Sequence, residues 1–253
     1  MLIVNHIIVI KNIIMADLHT YCLSHKNIKF LNTLNIKIIG TGNYSKKNDY
    51  YPENWLKDNT GKNISFKNRN FGSLTSHYWL WHNMLDKHKV DDWIAVCHYR
   101  RFWLKKDVGP TLEANELKNN LLENIPDEYR QYDSLLPKKV FVNRVKFTKL
   151  IKKGYRNYLR DPSILFNDKK NNIELHFDMF HGFQLLSKAT NVMSLDDRSD
   201  FKEYGKSDSF HPFQIFICKP HTLNILYQKT FDWIFECEKI FKDYKLEGYG
   251  KER

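Results

Sequence analysis

Apolar and polar positions alternate along this chain in a strand and helix pattern of α/β order. Asp17 to Ser24 (DLHTYCLS) reads as a strand, and a short helix through Phe30 and Leu34 follows. Ile36 to Ile39 is a second β-branched run, closed by Gly40-Thr41-Gly42-Asn43. Strand, helix, strand at this spacing predicts a βαβ opening to a sheet. The closing tetrapeptide lacks the third glycine and the trailing helix of a dinucleotide fingerprint, so it reads as a glycine turn. Tyr50 to Leu56 is an aromatic loop or short helix, and Gly61 to Phe71 is polar and turn-rich. A helix then starts near Ser73. Leu74, Tyr78, Trp81 and Leu85 fall at i, i+4, i+7 and i+11, a core stripe that leaves Trp79 and His82 to one side. Trp93 to Cys97 is almost continuously apolar, as suits a central strand covered on both faces. It delivers His98-Tyr99-Arg100-Arg101 to the edge of the sheet.

The second half is less regular. Glu113 to Ile125 reads as a helix stopped by Pro126, and Tyr132 to Leu136 as a short strand. Lys138 to Lys170 is basic, aromatic and weakly periodic, a helical or loop insertion over the site. Ile173 to Gly182 is a helix or a strand-to-helix turn, and Leu185, Leu186, Ala189 and Met193 continue a helical face. Asp196 to Ser209 reads as a polar connector and Phe213 to Cys218 as a buried strand. Pro220 opens a long final helix with Leu223, Tyr227, Ile234 and Phe241 on its stripe. The pattern predicts an α/β protein in which residues 17–253 form a single domain behind an N-terminal extension at 1–16.

Composition adds three constraints. The 253 residues carry a net charge of +11, which admits acidic partners such as nucleic acid, anionic lipid or a sugar diphosphate. The lysines are scattered with no run of five, so most of this charge reads as composition, and nucleic acid is not the expected partner. Cys22, Cys97, Cys218 and Cys237 form no CxxC pair and read as reduced core residues of a cytoplasmic protein. No apolar run is long enough to span a bilayer, and the N-terminal MLIVNHIIVIKNIIM has neither the basic start nor the cleavage site of a signal peptide.

Four groups of residues could carry chemistry. Arg100 and Arg101 offer planar forks matched to phosphate oxygens, and alternation along the strand lets one of them, Arg100, face a ligand with His98. The structural alternative is a salt bridge to Asp91 or Asp92. Asn63, Ser65, Asn68 and Thr75 suit a base, a ribose or sugar hydroxyls, and equally suit turns and caps. His176, Asp178 and His181 lie within six residues, yet no regular structure aligns all three. A core or hydrogen-bonding role fits better than a metal site there, and Asp178 and His181 are also candidates for a general base. His211, in the loop before the Phe213 strand, is a further polar candidate on the acceptor side. No Asp-x-Asp occurs to hold a divalent ion, so no metal ligand is assigned, and manganese or magnesium stays an open alternative. Charge neutralisation is expected from arginine instead.

Asn63-Ile64-Ser65, Asn68, Thr75, Tyr78-Trp79, Trp81, Asn83 and Cys97-His98-Tyr99-Arg100-Arg101 together resemble a bacterial domain-of-unknown-function family of capsular and exopolysaccharide biosynthesis glycosyltransferases. Tyr132-Asp133 through Pro137, Phe177 to Gly182 and Phe216 to Lys219 look like further landmarks of it. The resemblance implies a GT-A-like (Rossmann-type) mixed sheet flanked by helices. It also implies sugar transfer from a nucleotide donor, UDP-galactofuranose among some relatives, to a glycan or lipid-linked glycan at the inner face of the membrane. On that analogy Asn63 to Thr75, Trp79 and His98 to Arg101 line the donor pocket, and Asp178 and His181 act as base or on the acceptor side. Two departures stand out. Ser73 occupies a position that is acidic in the family, and the chain ends at Arg253, where the family continues with a further helical segment. Two alternatives remain. One is a non-catalytic carbohydrate- or nucleotide-binding relative. The other is a basic nucleic-acid-binding protein that uses aromatics such as Tyr155 and Tyr158.

Overall fold

The computed structural model describes residues 16–47, 49–109, 112–142, 147–212 and 214–243, without the side chains of 147–153 and 168. The expectations for the N-terminal extension, for Gly248 to Arg253 and for Phe213 lie outside the described residues.

Among the described residues eight strands form: β1 (Leu18–Ser24), β2 (Lys37–Gly40), β3 (Leu56–Lys57), β4 (Trp93–His98), β5 (Ser134–Leu135), β6 (Val140–Phe141), β7 (Ser209–Phe210) and β8 (Phe216–Cys218). Six of them make one sheet in the order β3-β2-β1-β4-β8-β5. β1 to β4 are parallel, and β8 runs antiparallel to β4 and β5. The register sets Leu18 to Leu23 against Trp93 to His98. β6 and β7 pair separately.

The α-helices of the described residues are α1 (Asn68–Phe71), α2 (Leu74–Asn83), α3 (Ala114–Asn120), α4 (Phe147–Arg160), α5 (Ile173–His181), α6 (Leu185–Thr190), α7 (Leu195–Gly205) and α8 (Pro220–Ile240). The apolar run of β4 is buried on both faces, as its composition requires. Ile94 and Val96 pack with Tyr21, Leu23 and Ile39 under α2 and α8. Cys97 packs with Cys22, Ile38 and Trp55 under the 29–55 segment and α3, and Trp93 and Ala95 pack with Ile125 and Ile217. Cys22, Cys97 and Cys218 are buried free thiols, and Cys237 is half-buried.

Several expectations change. α2 has no narrow stripe, because it lies between the sheet, α8 and the 58–68 loop. Thr75, Ser76, His77, Trp79 and Leu80 are all buried, with Leu74, Tyr78 and Trp81 packed alongside. α3 stops at Asn120. Its start carries a Glu113–Glu116 capping box, and Leu121 and Leu122 leave the helix to pair with Leu104 and Trp103. The expected connector 196–209 contains a helix, α7. Its N-cap Ser194 accepts the Asp197 amide, and Asp196 and Asp197 sit in the first turn. α4 to α7 form a separate helical layer tied to α8 by Trp233 Nε1 donating to the Ala189 carbonyl (2.7 Å) and by Lys229 to Asp197 (2.5 Å).

Candidate functional site

In an open α/β sheet the ligand crevice lies outside the carboxyl ends of the strands, where the strand order reverses. In the order β3-β2-β1-β4 that point falls between β1 and β4. β1 ends at Ser24 and β4 at His98, so His25-Lys26 and Tyr99-Arg100-Arg101 leave the sheet side by side. A tight turn follows β4. The His98 amide donates to the Arg101 carbonyl (3.1 Å), and the Arg101 amide donates to the His98 carbonyl (2.8 Å). The Tyr99 amide donates to the Leu23 carbonyl (3.1 Å), which fixes this turn against β1. The Arg100 guanidinium lies over the Tyr99 ring, 4.8 Å from its centroid, and Nε donates to the phenol oxygen (2.7 Å). The His25 ring meets Tyr99 edge-on at 5.1 Å.

The electrostatics of this crevice are cationic. Burial lowers the pKa of His25, and the charges of Lys26, Arg100 and Lys46 lower it further. Burial is also the main reason that His98 is lowered to about 4, with Arg101 and His25 adding to it. Each histidine is therefore neutral at pH 7 among fixed cations, and no carboxylate contributes to either shift. Beneath them, His77 is fully buried and lowered to about 3 by burial, with His98 as its electrostatic neighbour. Its Nδ1 meets the Tyr227 hydroxyl at 2.9 Å. His77 Nε2 and His98 Nε2 are buried and have no hydrogen-bond partner among the described residues, an uncommon condition for polar atoms in a folded interior.

The opposing wall is organised by Asp58, which is completely buried just past the end of β3. Oδ1 accepts the Asn43 amide (2.9 Å) and the Ser65 hydroxyl (2.7 Å). Oδ2 accepts the Gly42 amide (2.7 Å) and the Thr75 hydroxyl (2.6 Å). Gly42 adopts φ +68°, and a Cβ there would lie 2.5 Å from Asn68 Oδ1, so the glycine is required twice over. Asn68 donates to the Gly72 carbonyl and to Thr75 Oγ1. Asn63 donates to the Asn59 and Gly61 carbonyls and accepts the Ser65 amide. Trp79 is 4% exposed, and its indole donates to Thr60 (2.9 Å).

These partners revise the expected roles. Ser65, Thr75 and Trp79 are buried, the two hydroxyls bonded to Asp58 and the indole to Thr60, so in this structure they act as framework. Asn63 and Asn68 brace the loop through their local bonds. The salt-bridge alternative for the arginines also changes. Asp92 stands at the opposite end of β4 from Arg100 and bonds His19 (3.2 Å).

On the β8 side, Ser73 at the start of α2 donates to Gln214 (2.8 Å), whose backbone has a positive φ of 53°. His211 pairs its Nδ1 with the Pro137 carbonyl (2.6 Å), just past β5. β5 runs parallel to β4, so this places His211 at the same carboxyl edge. Asp178 and His181 lie on α5, in the helical layer. The Gln184 amide donates to Asp178 (2.9 Å), burial raises the Asp178 pKa, and the charges that act on it are those of Glu174 and Arg160. The structure thus gathers His98, Arg100 and Arg101 with His25 and Lys26, and sets α5 in a different layer. Sequence reasoning missed His25, Lys26 and Asp58. The signal for all three is their position immediately after a parallel strand, hidden at Asp58 because β3 is only two residues long.

The model of a domain of unknown function (DUF4422) matches residues 19–252. A search of curated proteins found no match. Among solved structures, the chain is similar to the apo structure of the bifunctional glycosyltransferase WbbM. The TM-score is 0.51, with 21% identity over 92% of this chain and 39% of that one. The likeness extends to the fold, a mixed six-stranded sheet flanked by helices of GT-A-like type.

Proposed function

We propose, from the premise that this chain belongs to the DUF4422 family, that it is a glycosyltransferase. It would move a sugar from a nucleotide donor, UDP-linked, to a glycan or lipid-linked glycan. The observation that carries this reading is the set of cations around the β1–β4 crevice: Lys26, Lys46, Arg100 and Arg101. When the bond between the sugar anomeric carbon and the phosphate oxygen breaks, negative charge grows on the departing nucleotide diphosphate. Cations fixed at that point favour the transition state over the ground state. The arginines offer planar forks to the phosphate oxygens and the lysines add point charges. This reading gives neutralisation to the arginines, since the sequence has no Asp-x-Asp for manganese or magnesium. His98, neutral at pH 7, is available for a hydrogen bond to donor phosphate or sugar.

The acceptor hydroxyl must lose a proton. With Nδ1–H donated to the Pro137 carbonyl, His211 keeps Nε2 as an acceptor at the crevice edge, which suits it to that step. Asp178 and His181 are the other base candidates. The likeness to a glycosyltransferase structure supports the class of reaction. Galactofuranose as the transferred sugar rests on the sequence resemblance alone. A lipid-linked acceptor would bring the protein to the inner face of the membrane. Among the described residues no helix is long and apolar enough to cross one.

Thermal-shift titration with UDP tests the donor site, in EDTA and then with manganese. Stabilisation in EDTA that Arg100→Ala reduces is the expected result. Stabilisation only with manganese would overturn neutralisation by arginine. Ser73 favours a second reading, a non-catalytic binder, because the residue at this position donates to Gln214 and brings no carboxylate. Hydrolysis of UDP-sugars separates the two: a binder protects the donor without consuming it.

A further inference from the structure

A second cluster of metal-type ligands lies at the opposite end of β1 and β4. His19, His88 and Asp92 each place one ligand atom there, all within 4.8 Å of one another. His19 Nε2 is 3.2 Å from Asp92 Oδ2, and His88 Nδ1 is 4.0 Å from the same oxygen. The ligand atoms of a tetrahedral zinc ion, at ordinary zinc–nitrogen and zinc–oxygen lengths, stand about 3.3 Å apart. Small side-chain rotations would close the difference.

The surrounding groups hold these ligands in place. The Lys89 amide donates to Asp92 Oδ2 (2.9 Å), and the Asp17 amide donates to Oδ1 (3.3 Å). The Tyr21 hydroxyl pairs with His88 Nε2 (2.9 Å), which leaves Nδ1 turned toward Asp92. Metal-bound histidines are commonly oriented in this way through their second nitrogen. The two imidazoles lie 4.4 Å apart, tilted by 40°. The His88 and Asp92 side chains are 3% and 5% exposed and that of His19 is 27% exposed, so the cluster opens to solvent on one side.

We propose that His19, His88 and Asp92 bind one divalent ion of the zinc and cobalt class, through two imidazoles and one carboxylate. Imidazole selects zinc, cobalt and nickel over magnesium, which prefers oxygen ligands. With three protein ligands the fourth position would be taken by water on the open side, and binding would clamp the connection between α2 and β4 to the start of β1. The site stands about 16 Å along β1 from the carboxyl edge, at 3.3 Å per residue, so it is separate from the sugar-nucleotide reading.

Cobalt(II) titration of the metal-stripped full chain, followed by visible absorption, tests it. The expected result is a ligand-field band that saturates at one equivalent and is displaced by zinc but not by a hundredfold excess of magnesium. His19→Gln abolishes the band and His176→Ala leaves it unchanged. Tyr21→Phe, which keeps all three ligands, weakens cobalt binding by about tenfold. Far-ultraviolet circular dichroism checks that each variant is folded. Absence of a saturable band in the wild type would overturn the proposal. So would a band that survives His19→Gln or disappears with His176→Ala.

Discussion

Substitution of Asp58 by asparagine isolates the polar hub behind the crevice. It keeps the volume and exchanges one acceptor oxygen for an NH2 group. Each oxygen of Asp58 accepts one backbone amide and one hydroxyl: Asn43 and Ser65 on Oδ1, Gly42 and Thr75 on Oδ2. Whichever oxygen is replaced, an amide and a hydroxyl then face a donor. The hydroxyl can rotate, and Thr75 has the Gly72 carbonyl at 3.1 Å as a second acceptor. The amide cannot rotate. A buried donor left unsatisfied costs about 1–3 kcal/mol, and each bond that loses its charged partner gives up about 1 kcal/mol more. The expected loss is about 3–5 kcal/mol, a large part of the total stability of an ordinary domain. Urea unfolding measures it as a fall in midpoint at constant slope. Thr75→Ala in the same background should be non-additive with Asp58→Asn, since the two share a bond. A loss below about 1 kcal/mol for Asp58→Asn, or strict additivity with Thr75→Ala, would refute the hub as the organiser of this wall.

Further expectations concern the crevice and the core. Arg100→Ala should weaken UDP affinity by about tenfold or more with an unchanged melting temperature, because the side chain is exposed and its hydrogen bond is to the adjacent Tyr99; isothermal titration reads it, and wild-type affinity would count against the donor site. Stability should fall as pH drops below 6.5. The folded protein keeps His77 neutral down to about pH 3, whereas the unfolded chain takes up the proton near 6.5. The unfolded state therefore binds more protons in this window, and His77 alone costs about 2 kcal/mol at pH 5. Urea midpoints at pH 7.5 and 5.0, compared between wild type and His77→Gln, check the sign, and an equal drop in both proteins would contradict it. Phe231→Ala removes a ring 1% exposed that packs on Tyr78 and Trp81 across α2 and α8. The loss should be about 3–5 kcal/mol, and a value under about 1 kcal/mol would show that the two helices repack without it.

The sequence alone determined the elements with the strongest local signals. β1 and β2 are legible because apolar runs end each of them, α8 because a helix opened by Pro220 declares its own start, and β4 because a strand covered on both faces is apolar along almost its whole length. The cationic end of β4 was legible for the same reason, since a strand of that kind has to deliver whatever follows it to an edge. Shorter elements were not. β3 has two residues, too few for any period, and α7 was masked by polar residues whose cap at Ser194 outweighs composition. Only the tertiary structure decided which polar residues line the crevice and which hold the wall. Ser65 and Thr75 carry the same hydroxyl chemistry in either role. A carboxylate at Asp58, seven and seventeen residues away, claimed both. His25 and Lys26 joined Arg100 because β1 and β4 are parallel neighbours, and His19, His88 and Asp92 met because the same pairing brings the other ends of those strands together. Side-chain identity fixes what a residue can do. The pairing of distant segments sets which of those capacities is used.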